Sequence, residues 1–160
     1  MTKDVILSIC GFQFETNGDE PVEVITGADY FFKNGKHYVL YDEMMPESGE
    51  EVKNIIKIEE SRVEVIRKGV NNTHMVFETD KKNMTYYTTP FGQLLIGINT
   101  TAICCHEDDM NIETKINYAL DVNESHVSDC EITVSIKSKD DILMKDVRKK
   151  IHASKLVLDF

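Results

Sequence analysis

Tyrosines and basic side chains recur within the stretches of this chain in which apolar and polar residues alternate. They are Tyr30, Tyr38, Tyr41, Lys57, Arg67, Tyr86, Tyr87 and Tyr118. A tyrosine combines an apolar ring with a polar hydroxyl, and an arginine presents a rigid fork of donors to a carboxylate or phosphate. Inside a barrel, such side chains would line a mostly apolar pocket with a few polar anchors, as in small-molecule sites. The alternative is that the rings are buried in the wall while the hydroxyls reach water at the rim.

The densest group of metal-ligand residue types is the run from Cys104 to Asp109, which reads Cys-Cys-His-Glu-Asp-Asp. A metal centre needs several converging ligands, and no second ligand group of matching spacing accompanies this run. The five histidines form no His-x-x-x-His pair. The chain has no glycine-rich phosphate loop, nucleophile elbow or dinucleotide fingerprint. We therefore expect no metal, no other cofactor and no enzymatic activity.

The elements that carry the tyrosines are predicted to be β-strands, because hydrophobicity has a period of two from residue 4 to about residue 137. Residues 112–122 and 130–137 alternate most clearly, and the polar turn at residues 123–126 predicts a hairpin between them. Asn34-Gly35 predicts a second hairpin, because both residues tolerate the positive φ angles of a type I′ turn. The other predicted strands are residues 5–14, 22–32, 37–42, 52–58, 62–68, 73–79, 84–88 and 93–104.

This succession of about ten short strands and turns predicts an all-β, antiparallel meander, and closing the meander into a barrel would remove its edges. A barrel is therefore favoured over a sandwich. Gly11, Gly27 and Gly97 fall inside strand patterns, where glycine often marks a bulge or a bend. The long acidic connection over residues 42–51 is predicted to be either a lid over a barrel mouth or a solvated loop.

The C-terminal part of the chain changes its pattern after the last predicted strand. Ile142, Leu143, Val147 and Ile151 follow helical spacing, and Ser138 lies where a capping residue is expected. We therefore predict a β-barrel over residues 1–137 and a C-terminal helical extension over residues 138–160, packed on the barrel.

The charge balance excludes several classes of partner. Eighteen basic and 28 acidic residues give a formal net charge of -10 and a pI near 4.9. Nucleic acids and anionic membranes are themselves negative, so neither is expected to bind. The chain shows no signal peptide and no run of ~20 apolar residues. Its four cysteines are predicted to be free thiols in a reducing cytosol, and the expected location is cytoplasmic.

Short motifs spread over roughly residues 3–137 form a set shared with a known family. They are Thr26-Gly27-Ala28-Asp29-Tyr30, Tyr38-x-x-Tyr41-x-Glu43, Lys57-Ile58, Arg67-Lys68-Gly69, Met75-x-Phe77, Tyr87-Thr88-Thr89-Pro90-Phe91-Gly92 and Tyr118-x-Leu120. With these motifs the chain resembles the YwiB-like family of uncharacterised proteins from Gram-positive bacteria. The resemblance implies a calycin-like β-barrel, related in architecture to lipocalins and fatty-acid-binding proteins. It implies no activity, because that family is a domain of unknown function, and the extension after Ser138 departs from its pattern.

The function favoured by these observations is the binding of a small molecule inside the barrel. The predicted ligand is anionic or amphipathic, and the predicted ligand-binding residues are Arg67, Tyr41, Tyr87, Tyr38, Lys57 and Thr89. Arg67 would anchor the anionic group. The alternative is a protein-interaction module with a filled barrel and no ligand, whose partner surface is the C-terminal extension or the connection over residues 42–51. No pattern in the sequence indicates an oligomeric state.

Overall fold

The alternating segments fold into ten β-strands in the computed structural model, which describes residues 3–11, 22–44, 48–69 and 72–139. The strands are β1 (Asp4–Gly11), β2 (Val22–Lys33), β3 (Lys36–Met44), β4 (Glu51–Ile58), β5 (Arg62–Lys68), β6 (Thr73–Glu78), β7 (Lys81–Thr89), β8 (Gly92–Glu107), β9 (Asn111–Val122) and β10 (Ser125–Ser138). Each predicted strand corresponds to one of these ten.

The strands form one antiparallel meander that is nearly closed into a barrel. Neighbours along the chain pair from β1 to β6 and again from β7 to β10. The first and last strands also pair with each other, from Val5 opposite Ser138 to Gly11 opposite Ile132. The hydrogen-bonded order therefore begins at β6 and ends at β7. The predicted all-β meander barrel is confirmed, with one opening in its wall, which we call the β6–β7 seam.

The turn between β6 and β7 is bonded to other parts of the wall. The backbone N–H of Thr79 donates to the carbonyl of Ser61 (3.2 Å), and that of Asp80 donates to the carbonyl of Thr100 (2.9 Å). Ser61 lies in the connection between β4 and β5, and Thr100 lies in β8. β6 and β7 form no ladder with each other among the described residues.

The period of two buries one side chain in every two along most strands. In β9, Ile112, Ile116 and Leu120 are buried, as the alternation predicts. Side chains from different walls meet in the centre, where the rings of Phe77 and Tyr118 contact edge to face with centroids 5.0 Å apart. The middle of the barrel is therefore filled. Its largest fully buried side chains are Phe77, Leu7, Ile56, Ile58, Ile96, Ile98, Ile112, Ile116, Ile136, Val5, Val39 and Val63.

Two tight hairpins set the register of their strands. Asn34 and Gly35 have φ angles of 53° and 76°, and Asn123 and Glu124 have φ angles of 49° and 70°. Positive φ at both central residues is the requirement of a type I′ turn, which matches the twist of the flanking strands. Both predicted hairpins are confirmed.

The bulges do not lie at the glycines for which they were predicted. The register shifts between Thr100 and Ala102 in β8 and between His126 and Ser128 in β10. Gly11, Gly27 and Gly97 are all in regular register. Gly11 is needed for a different reason, because a Cβ there would lie 2.8 Å from the carbonyl oxygen of Glu131. Close approach of neighbouring strands, rather than a bend, explains this glycine.

Two predicted boundaries, those of the acidic connection and of the C-terminal extension, differ from the boundaries in the structure. β3 continues through Met44 and β4 begins at Glu51, so four residues of the predicted acidic connection over residues 42–51 are in strands. β10 continues to Ser138, one residue past the predicted boundary. The predicted C-terminal helical extension covers residues 138–160. Ser138, its predicted capping residue, is the last residue of β10, and residues 140–160 lie outside the described residues. In the described part of the chain, no helix is long and apolar enough to cross a membrane.

Candidate functional site

A row of polar side chains crosses four neighbouring strands near one end of the barrel. Tyr41 of β3 is opposite Asn54 of β4, Asn54 is opposite Arg67 of β5, and Arg67 is opposite Thr73 of β6. Residues directly opposite each other point to the same face of a sheet. Tyr41, Asn54 and Thr73 are buried, so the row faces the interior. We call these four residues the Arg67 row and this end of the barrel the Arg67 end.

Glu43 connects two members of the row. Its Oε1 accepts a hydrogen bond of 2.9 Å from Nδ2 of Asn54 and lies 3.6 Å from Nη2 of Arg67. The side chain of Arg67 is 29% exposed. The guanidinium is therefore held in place by a carboxylate and remains accessible to solvent.

Asn54 has an acceptor that this arrangement does not use. The residue is 1% exposed, and its Nδ2 donates to Glu43 and to the carbonyl of Val52. Its Oδ1 has no hydrogen-bond partner among the described residues. Because an unsatisfied buried acceptor is unfavourable, this oxygen is suited to accept a hydrogen bond from a bound molecule.

Tyr41 supplies a phenol whose proton is firmly held. Burial is the largest cause that raises its pKa, the charge of Glu43 raises the pKa further, and the charge of Arg67 lowers it, with a result of about 12. The hydroxyl is therefore protonated at neutral pH and able to donate a hydrogen bond.

The predicted ligand-binding residues are divided between the two faces of the wall. Tyr87 of β7 lies at the Arg67 end and packs against the core, on the same side of the wall as Tyr41 and Arg67. Tyr38 and Lys57 alternate with buried residues and therefore lie on the outer face. There the ring of Tyr38 stacks on Phe31 at 4.9 Å, and the ammonium of Lys57 lies 5.8 Å from that ring. Thr89 ends β7, and its side chain is outside the described part of the structure.

An open cleft of 370 Å³ lies at the Arg67 end of the β6–β7 seam. Residues from three strands and the β5–β6 connection line it: Ile66, Arg67, Lys68, Asn72, Thr73, His74, Thr85 and Tyr86. The lining contains residues of both faces of the wall, so the cleft leads from the outer surface toward the Arg67 row. None of the eight is acidic, although the chain as a whole has a net charge of -10.

Beside the cleft, on the outer face, Glu64 is paired with two basic residues. Nε2 of His74 lies 2.8 Å and Nη2 of Arg62 lies 3.3 Å from the carboxylate oxygens. Burial alone would raise the pKa of Glu64, but the hydrogen bond from His74 and the charges of Arg62 and Lys57 hold that pKa below its usual value. Glu64 is therefore held as a carboxylate between its two basic partners.

The opposite end of the barrel is bridged by a chain of hydrogen-bonding groups. The Tyr30 hydroxyl lies 2.7 Å from Nδ1 of His37, and Nε2 of His37 lies 3.1 Å from the Glu107 carboxylate. His37 belongs to β3 and Glu107 to β8, which are on opposite sides of the ring of strands. This chain therefore spans that end of the barrel. In the described residues, no group of three or more side chains is arranged to hold a metal ion.

Sequence reasoning identified Tyr41 and Arg67 but not their partners. Asn54 lies between Val52 and Ile56 in an otherwise apolar face of β4. A polar residue that interrupts such a face was the signal that could have identified it. Glu43 falls within the predicted acidic connection, and only its position in β3, on the same face as Tyr41, shows it to be a partner of Arg67.

Comparisons with known proteins agree with this architecture. A search of the curated proteins finds no match. Among solved structures, the chain is similar to the crystal structure of the ywiB protein from Bacillus subtilis, with 26% sequence identity and a TM-score of 0.65. The similarity covers 85% of this chain and 92% of that chain. The model of the family described as "Domain of unknown function (DUF1934)" matches residues 7–134. The resemblance to the YwiB-like family is thus confirmed, and the chain belongs to the DUF1934 family.

Proposed function

We propose that this domain is a calycin-like barrel that binds a small anionic molecule at the Arg67 end. The observation that carries the proposal is the Arg67 row, in which a guanidinium, a protonated phenol and an unused amide oxygen face the interior beside an open cleft. Pockets for small molecules combine apolar walls with a few convergent polar groups of this kind.

Each member of the site has a chemical role in the proposal. Arg67 pairs with the anionic group of the ligand, which replaces Glu43 as its carboxylate partner. Tyr41 donates a hydrogen bond, and Oδ1 of Asn54 accepts one from a hydroxyl or amine of the ligand. Tyr87 contributes an aromatic wall. The ligand enters at this end, because the Tyr30–His37–Glu107 chain bridges the other.

The test is native mass spectrometry of the protein purified from a bacterial cytosol, compared with its denatured mass. We expect a non-covalent adduct that is lost on denaturation in the wild type and is absent from Arg67→Met. The matched control is Arg62→Met, because Arg62 lies on the same strand but on the outer face, where it pairs with Glu64. Thermal unfolding of both variants is measured to check that the fold is retained.

Two outcomes would count against the proposal. An adduct of the same mass and occupancy in Arg67→Met would mean that Arg67 has a structural role only. An unliganded mass in all three proteins would favour the alternative function, a protein-interaction module with a filled barrel.

A further inference from the structure

The guanidinium of Arg67 and the carboxylate of Glu43 form a pair of opposite charges at the Arg67 end. Nη2 of Arg67 lies 3.6 Å from Oε1 of Glu43, and the two side chains are 29% and 36% exposed. Hydrogen bonds between a cationic nitrogen and a carboxylate are shorter than this, at about 2.7–2.9 Å. The two groups therefore compensate each other's charge without forming such a bond, and both are accessible to solvent.

An anionic group bound to Arg67 changes the charge balance of this pair. In the described part of the chain, Glu43 forms no ion pair with another basic side chain. If a ligand takes the place of Glu43 on the guanidinium, the partly buried carboxylate loses its cation, which is unfavourable. A ligand with negative charge only must therefore compete with Glu43. A ligand that also carries a positive group supplies the cation that Glu43 has lost.

Asn54 offers a second acceptor for a positive group next to Glu43. Its Oδ1 has no hydrogen-bond partner among the described residues, and Nδ2 of the same amide donates to Glu43. Because the two atoms belong to one amide group, this oxygen lies close to the carboxylate. An ammonium has three donors and can bond to both acceptors, whereas a hydroxyl has one donor and leaves one of them without a partner.

Arg67 and Tyr41 supply the donors for the anionic group. The guanidinium presents a fork of N–H groups, and the buried Tyr41 hydroxyl is protonated at neutral pH. Asn54 is opposite both residues in the register of the strands, so donors for an anion flank the acceptors for a cation. Since Arg67 and Glu43 are 3.6 Å apart, the two charges of the ligand must also be close together. One carbon atom between an ammonium and a carboxylate, as in an α-amino acid, meets this requirement.

The filled centre of the barrel limits the rest of the ligand. Phe77 is 1% exposed and contacts Tyr118 across the interior, so a long chain has no room behind the Arg67 row. The adjoining cleft has a volume of 370 Å³, near the lower end of the range of about 300–1,000 Å³ that is usual for small-molecule sites. The body of the ligand is therefore compact.

We infer that the ligand is a compact amphoteric molecule of the amino-acid type, with its ammonium on Glu43 and Asn54 and its anionic group on Arg67 and Tyr41. The inference rests on the proposed function, because both use Arg67 to bind the anionic group. It goes further by adding a positive charge to the ligand and by giving Glu43 a binding role.

The experiment compares L-alanine, L-lactate and propionate, which share a carboxylate and a carbon skeleton but carry an ammonium, a hydroxyl and a hydrogen beside it. Each probe is titrated at neutral pH and constant ionic strength and followed by amide chemical shifts of the isotope-labelled protein. We expect saturable shifts with alanine at residues 41–43, 53–55 and 66–68. Lactate and propionate should bind at least about tenfold more weakly, since neither offers a cation to Glu43.

Glu43→Gln should change the affinities for alanine and propionate in opposite directions. Alanine should bind about tenfold more weakly than to the wild type, because its ammonium loses a charged partner. Propionate should bind more tightly, because no carboxylate competes with it for Arg67. The matched control is Asp42→Asn, which removes the same charge from the neighbouring residue, exposed on the outer face. This control should bind all three probes as the wild type does.

An unchanged or higher affinity of Glu43→Gln for alanine would overturn the inference. Thermal unfolding is measured to check that this variant is folded. If it is not folded, the comparison of alanine with lactate in the wild type decides, because that comparison needs no substitution.

The outcomes separate this inference from the proposed function. If lactate or propionate binds as tightly as alanine, and Arg67→Met abolishes that binding, only the inference is overturned. If no probe gives saturable shifts, the adduct in the native mass spectrum decides. An Arg67-dependent adduct that contains an amine supports the inference, one without an amine overturns it, and the absence of any adduct overturns both proposals. If Arg67→Met binds alanine as the wild type does, both are overturned as well.

Discussion

Individual residues of the Arg67 end are coupled through charge, and Tyr41 is the group that reports on this coupling. Its pKa is raised to about 12, chiefly by burial and then by Glu43, while Arg67 opposes the rise. In the unfolded chain a tyrosine ionises near pH 10. Above that pH the folded state therefore holds a proton that the unfolded chain has lost. The stabilisation from Tyr41 is fully present below about pH 10 and is lost as the pH rises toward 12.

Substitutions of the two charged neighbours should move the pKa of Tyr41 in opposite directions. Glu43→Gln removes a negative charge and lowers the pKa, whereas Arg67→Met removes a positive charge and raises it. The measurement is a pH titration of the phenol carbon in protein carrying isotope-labelled tyrosine, with Tyr41→Phe to assign the signal. Equal pKa values in the wild type and Glu43→Gln would contradict the electrostatic coupling of Glu43 to Tyr41.

At this scale the sequence identified the anchoring groups and missed the groups that hold them. Tyr41 and Arg67 were predicted from their residue types alone. Tyr38 and Lys57 have equally suitable types, yet they lie on the outer face because the strand period assigns alternate residues to opposite sides. Asn54 has neither a charge nor an aromatic ring, so its residue type alone does not indicate a binding site. Its candidate role follows from its position, since it is 1% exposed and donates a hydrogen bond to Glu43.

At the scale of elements, the turns show how local chemistry determines hairpins. Gly35 and Glu124 occupy equivalent positions in two type I′ turns, with φ angles of 76° and 70°. Glycine adopts this conformation freely, whereas a residue with a Cβ is strained in it. The turn between β9 and β10 is therefore less favourable than the same turn with glycine at position 124 would be. It is compensated by Asn123, which accepts a hydrogen bond of 3.0 Å from the N–H of Leu95 and donates one of 2.8 Å to the Leu95 carbonyl.

Glu124→Gly should consequently raise the free energy of unfolding by about 1 kcal/mol, because it removes the left-handed strain of a non-glycine residue. The matched control is the reverse substitution, Gly35→Glu, which should lower the free energy of unfolding by a similar amount. Both are measured by chemical denaturation with unchanged slope. A loss of stability in Glu124→Gly would show that the carboxylate side chain stabilises the turn by contacts that outweigh the strain.

The molecule as a whole is stabilised by a filled interior to which distant strands contribute. Phe77→Ala should lower the free energy of unfolding by about 3–5 kcal/mol, since it leaves a cavity against Tyr118. Phe31→Ala is the control for the removal of an aromatic ring, because Phe31 is 43% exposed on the outer face. Its effect should be at most about 1 kcal/mol. Equal losses in the two variants, measured by chemical denaturation, would contradict a packed barrel centre.

The sequence alone determined the strands, their inward faces and the two type I′ hairpins. These properties depend on contacts between residues close together in the chain, and on burial, which acts on every second side chain. The tertiary structure decided which residues share a site. The pairing of β1 with β10 joins strands that are far apart in the chain, whereas the β6–β7 seam separates two strands that are adjacent in it. No local pattern encodes either feature. Glu43, Asn54 and Arg67 therefore became one cluster, with Lys68 beside it at the cleft, only through the register of β3, β4 and β5 and the closure of the wall.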